Sequence, residues 1–326
     1  MTDMTLSVTG ELHDKERALD WLTAGVPLMV IAWIYYGWWV AALLLLSVAG
    51  YLAAAALLQW AGLLTCRALP ALATGIGIVC FLPATAPLWA PALAGGVAAA
   101  AAAVPALVSR RFAGRSFARP LLSPVLCGVL VLFAVYPALQ FGFTMPAQWT
   151  ANSTVVLPAL EGLFDPSVAV DRWWLFFGVY PGGIGETCSP VIWMVTGYLL
   201  LRRRVRLLPV VGMYATVALL SWLVWGSPLY SLLAGSTLLC AMLLGDRTVS
   251  PDGYGSGLTT GVAAGILTVV FRSAYRIDGS VAAVLIACAA APLYPPAGRL
   301  LRRGAQVLKN VTTKIITKYR KIKNNG

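Results

Sequence analysis

Charge is scarce in this chain. Of its 326 residues only 11% are charged and 59% are hydrophobic, against about 25% and roughly 45 to 50% in an ordinary soluble domain. A water-soluble globule is excluded. Histidine is scarcer still, with the single His13 in the polar leader. Cys66, Cys80, Cys127, Cys188, Cys240 and Cys288 form no CxxC pair and mostly lie in or beside apolar runs. A transition-metal or iron–sulfur site built by this chain therefore lacks its usual ligands, and no metal site is expected. Acidic residues number 12 against 24 basic ones. The basic excess does not call for a nucleic-acid partner, because it sits in short loops and a tail where membrane topology accounts for it.

Apolar blocks are what the chain has in plenty. Each is about 20 residues long, enough to cross a hydrocarbon core as a helix. They fall near 21–39, 41–64, 68–88, 90–108 and 121–143, and after a more polar stretch near 176–201, 207–225, 228–245, 257–274 and 280–297. The pattern predicts an all-α integral membrane protein with about ten transmembrane helices. The leader, residues 1–20, has neither the basic start nor the small-residue cleavage site of a secretory signal and is expected to stay on the protein. With the leader inside, 21 of the 24 basic residues fall on the inner side, as the positive-inside rule requires. Arg172, Arg272 and Arg276 are assigned outside. Both termini are then cytoplasmic, in a prokaryotic cytoplasmic (inner) membrane.

Five spans per half is an odd number, so a second repeat enters the membrane from the opposite side and the repeats are inverted. The expected organisation is a first repeat over 21–143, an extracytoplasmic loop over 144–175, a second repeat over 176–297 and a basic tail over 298–326. The third span, with Thr74-Gly75-Ile76-Gly77, Pro83 and Pro87, and the eighth, from Gly235 to Asp246, are the candidates for broken helices. Broken helices are tolerated in lipid only where protein or a cavity meets the freed backbone. The tail alternates basic residues with Val307, Leu308, Val311, Ile315, Ile316 and Ile322, the pattern of an amphipathic helix on an anionic leaflet. Docking onto a cytoplasmic partner subunit is the alternative.

Ionisable residues beside apolar spans are functional candidates because their burial is costly. Glu186 follows Pro181-Gly182-Gly183-Ile184-Gly185 and precedes Thr187. It reads either as a carboxylate on a backbone that a ligand can approach closely, or as a helix-start device in the first turn. Asp246, before Arg247, reads as a partner of that arginine or as a loop cap. The outer segment holds Trp149-Thr150-Ala151-Asn152-Ser153-Thr154, a hydroxyl-rich stretch that reads as a polar loop, with Trp149, Trp173 and Trp174 in the interfacial aromatic belt.

Five stretches resemble the RnfD and NqrB subunits of the Rnf complex and the sodium-translocating NADH:quinone reductase. Ala71 to Gly75 with Leu82-Pro83 and Pro87-Leu88-Trp89 is similar to the family's "ALLTG…PP…PWW". Phe117 to Pro124 with Gly128 resembles "NPFNPA…G", and Gly183-Ile184-Gly185-Glu186-Thr187 resembles "GSIGET". Leu233 to Thr237 with Gly245-Asp246-Arg247, then Arg272 through Asp278-Gly279 to Pro292-Leu293, are similar to "LLSGA…TDP" and "R…YPDGVAFAVLL…PL". The resemblance implies two inverted five-helix repeats and a flavoprotein, with FMN on a phosphoester to the Thr of an outer "SGAT" or "DGAT" motif. The matching position is Thr154, beside Ser153 and Asn152. It also implies a second, non-covalent flavin, riboflavin or another, between the helices near the cytoplasmic side. Glu186, Gly185 and Thr187 are then expected to shape the outer end of the site, Glu186 with a role in an ion path. Flavin and iron–sulfur subunits are the implied partners, and Na+ or H+ the implied ion. Two other classes stay open: a channel or secondary transporter, since inverted repeats are also a transporter architecture, and a flavin-free scaffold subunit.

Overall fold

Lipid offers a backbone no hydrogen bonds, so a chain this apolar must satisfy its own, and it does so in helices. The computed structural model describes residues 2–111, 122–141, 143, 172–177, 182–226, 235–251, 253–275 and 278–291. In the first half these form α1 (Thr2–Tyr36), α2 (Trp39–Trp60), α3 (Ala68–Phe81), α4 (Trp89–Arg111) and α5 (Pro124–Val135). A six-residue α6 (Arg172–Phe177) precedes α7 (Ser189–Leu201), α8 (Leu207–Trp225), α9 (Gly235–Gly245), α10 (Tyr254–Tyr275) and α11 (Ser280–Ala290). Stretches of α1, α2, α4, α8 and α10 are long and apolar enough to cross a membrane. The protein is an all-α integral membrane protein.

Several helices are shorter than their apolar runs. α3 ends at Phe81, with Leu82 extended (ψ 143°) before Pro83, because the residue before a proline is pushed out of the helical region. α5 ends at Val135, and a 3₁₀ turn, Pro137–Phe141, takes over where the Pro137 ring forbids continuation. α3 and α9, with 14 and 11 residues, reach roughly 16 to 21 Å at 1.5 Å per residue, short of a core about 30 Å thick. In the other direction, α1 extends back to Thr2, so the leader continues the first span as helix.

Packing repeats itself between the halves. α2 lies on α4 as α8 lies on α10, α1 on α3 as α7 on α9, α2 on α3 as α8 on α9, and α4 on α5 as α10 on α11. Between the halves, α1 packs on α7 and α5 on α11, each helix meeting its own counterpart as a twofold relation demands. Small residues carry the tightest of these contacts. A Cβ on Gly95 of α4 would stand 2.1 Å from the Ser47 carbonyl oxygen of α2, and one on Gly50 2.1 Å from the Ala92 carbonyl oxygen. In the second half a Cβ on Gly261 of α10 would lie 2.4 Å from the Pro209 carbonyl oxygen of α8. Such approach lets backbones pack by van der Waals contact where lipid removes the hydrophobic drive.

Gly95→Leu is expected to cost roughly 3 kcal/mol, the upper end for overpacking, seen as a lowered thermal midpoint in detergent. Gly197→Ala is the contrast, since its Cβ meets nothing within 4 Å. It should leave the midpoint unchanged or raise stability by up to about 1 kcal/mol through helix propensity.

Candidate functional site

The break after α3 strands carbonyl oxygens that no later turn of helix can satisfy. They are met from the other repeat. The Ile184 N–H donates to the Leu82 carbonyl at 2.9 Å, and the Gly185 N–H to the Cys80 carbonyl at 3.0 Å. The turn closes on itself, with the Glu186 N–H donating to the Gly183 carbonyl at 3.1 Å and the Gly183 N–H to Glu186 Oε1 at 2.8 Å. Glu186 is therefore not in the first turn of α7, which starts at Ser189 with Cys188 as its N-cap. The helix-start reading is corrected: the carboxylate braces the preceding turn.

The glycines of this turn make room for protein. A Cβ on Gly185 would lie 2.4 Å from Cys80 Sγ, one on Gly183 2.6 Å from the Cys80 carbonyl, and one on Gly235 1.8 Å from the Glu186 carbonyl. The turn is thus gripped between the C-terminal end of α3 and the N-terminal end of α9. Glu186 and Thr187 are buried there. Sequence reasoning missed their neighbours Arg272 and Asp278 as site residues. Arg272, on α10 and 2% exposed, donates from Nη2 to Thr237 Oγ1 at 2.8 Å, Asp278 Oδ1 at 3.1 Å and Ser280 Oγ at 3.3 Å. Asp278 also accepts the Ser280 N–H at 3.1 Å and the Ser280 hydroxyl. A cavity of about 40 Å³ between Glu186, Asp278, Gln140, Ser236 and Cys240 has room for one water molecule. An arginine inside the apolar run 257–274 was the available signal, hidden when Arg272 was counted only as an outer topological charge.

A second polar cluster surrounds Asp246, at the C-terminal end of α9. Asp246 does cap its loop, accepting the Thr248 N–H at 3.0 Å. Its ion-pair partner, however, is Arg17 of α1. Arg17 Nη2 donates to both carboxylate oxygens at 2.8 Å and to Thr248 Oγ1 at 2.6 Å. Pairing with Arg247 is corrected: that residue is exposed, its N–H held by the Arg204 carbonyl at 3.1 Å. One turn further along α1, the buried Asp20 accepts Arg202 Nε at 2.9 Å, Arg204 Nε at 2.5 Å and the Tyr198 hydroxyl at 3.3 Å.

Between these clusters lies a cavity of about 320 Å³, walled by α1, α3 and α9. Trp21, Tyr51, Phe81 and Met242 give it apolar walls, and Arg17, Arg67 and Asp246 line its charged end. Trp21 Nε1 is a buried donor with no acceptor among the described residues. Asn152, Ser153 and Thr154 lie outside the described residues, whereas Gly185, Glu186 and Thr187 are brought together at the α3–α9 junction. Among the described residues no group of three or more His, Cys, Asp and Glu could hold a metal ion.

Comparison with protein-family models matches residues 8–295 to the NQR2, RnfD, RnfE family, a span that takes in both repeats and both polar clusters. Comparison with curated proteins finds no match.

Arg272→Met removes the counter-charge from Asp278. The expected loss is about 3 kcal/mol, the lower end for a broken buried pair, since the Asp278 side chain keeps 27% of its exposure. Arg272→Met combined with Asp278→Asn should recover most of that loss in detergent thermal unfolding, while additive losses would show that the pair is not coupled.

Proposed function

We propose an electron-relay role from one premise: this chain belongs to the NQR2, RnfD, RnfE family and is thereby a multi-pass membrane subunit of an Rnf/Nqr-type ion-translocating complex. The observation that carries the reading is the large cavity. Its volume of about 320 Å³ falls within the roughly 300 to 1,000 Å³ of cofactor sites. Aromatic walls and the Trp21 indole N–H, without an acceptor among the described residues, suit a flat heteroaromatic ring with acceptor atoms on its edge. We assign the cavity to the non-covalent flavin, riboflavin or another.

In this reading Trp21 would donate a hydrogen bond to the flavin, Arg17 would meet its polar part, and Tyr51, Phe81 and Met242 would keep water away. A bound isoalloxazine supplies the electron transfer itself. Thr154 anchors FMN by a phosphoester, with Asn152 and Ser153 beside it, and Gly185, Glu186 and Thr187 shape the outer end of the bundle. Electrons from ferredoxin or NADH arrive and leave through flavin and iron–sulfur subunits of an Rnf-like complex in the prokaryotic cytoplasmic membrane, coupled to Na+ or H+.

Peptide mass spectrometry on the purified chain should find one FMN added to Thr154, and Thr154→Ala should lose in-gel flavin fluorescence under denaturing conditions. Fluorescence surviving in Thr154→Ala would rule out that anchor. Acid should release about one further flavin per chain, and Trp21→Phe should weaken its binding about three- to tenfold, the worth of one hydrogen bond. A chain that holds no flavin in either form, yet carries ion or solute flux alone in vesicles, would instead be a transporter.

A further inference from the structure

One wall of the large cavity is a single helix thick. Arg17, Ala18, Trp21, Ala24, Gly25 and Leu28 face the cavity at helical spacing, while Leu19, Val26, Val30 and Trp33 of the same helix are exposed on its other side. At its charged end this wall is held by ion pairs to the opposite repeat. Arg17 is tied to Asp246 and Thr248, and Asp20 to Arg202 and Arg204 of the α7–α8 turn. Between those two arginines Arg203 stands at φ +56°, a left-handed conformation uncommon outside glycine, so the turn bears a backbone cost while both neighbours reach one carboxylate. The exposed Thr65 lines the cavity together with Arg17 and Asp246, which places the mouth at this end. Ion pairs at a wetted end can exchange each other for water.

We infer that the start of α1 is a latched door: the Arg17–Asp246 and Asp20–Arg202/Arg204 pairs hold it shut over the cavity mouth, and their parting admits a flavin-sized molecule from the charged end. The flavin reading supplies only the identity of what passes. The door itself is tested without flavin.

Thr74 lines the cavity, so Thr74→Cys reports on access when labelled by a membrane-impermeant thiol reagent on the full-length chain in membrane vesicles. Cys66→Ser serves as background, since Cys66 is exposed, and the label is read at residue 74 by peptide mass spectrometry, since Cys80 lines the same cavity. Labelling at residue 74 should be slow, and should quicken about tenfold or more with Asp20→Asn or Asp246→Asn, equivalent to about 1.4 kcal/mol of lost closure. Glu16→Gln should leave it unchanged, because Glu16 is 65% exposed and 3.8 Å from Arg204. A reducible bis-methanethiosulfonate crosslink, long enough to replace the arginine side chain, between Arg17→Cys and Thr248→Cys should stop labelling until it is reduced, and it carries the test if the charge variants fail to accumulate. Equal rates in every background, or labelling through the closed crosslink, overturn the door. Acid-released flavin is measured in the same samples. Faster labelling with flavin content unchanged, or with no flavin in any sample, supports the door, and in the second case the flavin reading fails alone. Labelling that only follows loss of flavin overturns the door, because the occupant and not the latch was then the barrier.

Discussion

A helix end leaves backbone groups that lipid cannot satisfy, and much of this fold follows from where the ends of α3 and α9 find partners. The carbonyls at the end of α3 are taken by the amides of Ile184 and Gly185, and the Gly245 carbonyl at the end of α9 by the Arg206 amide at 2.7 Å. The first of these caps crosses between the repeats, so the halves are joined by main-chain hydrogen bonds as well as by helix packing. Gly183, Gly185 and Gly235 sit where they do because only a bare backbone fits against Cys80 and Glu186. The large cavity reaches both helix ends, at Phe81 and at Asp246.

The spans were legible in the sequence because a hydrocarbon core selects on length and apolarity, which are properties of consecutive residues. Their ends were less so. The runs around Pro83 and Pro137 stay apolar after the helix has stopped, so hydropathy alone overstates α3 and α5, although the prolines mark the places. Two repeats of five spans were expected from the span count, and the helix packing recurs in the same order in the two halves.

The polar clusters were legible only in part. Glu186 and Asp246 stood out as carboxylates beside apolar runs, but their partners did not. Arg17 is 229 positions from Asp246, and no local spacing announces such a pair. Arg272 was visible but read only for its side of the membrane, and its role as a buried counter-ion emerges from its packing against Thr237, Asp278 and Ser280. The Thr154 assignment lies outside the described residues and rests on resemblance.

The glycine contacts of α2 with α4 and of α8 with α10 have a mechanical side. Backbones that touch cannot slide without first separating, so each pair behaves as a stiff plate. Compliance is then left to the rails on which the plates ride, α1 against α7 and α5 against α11. Movement along those rails is shear rather than bending, and it would widen or narrow the gap between α3 and α9 without unwinding a turn of either.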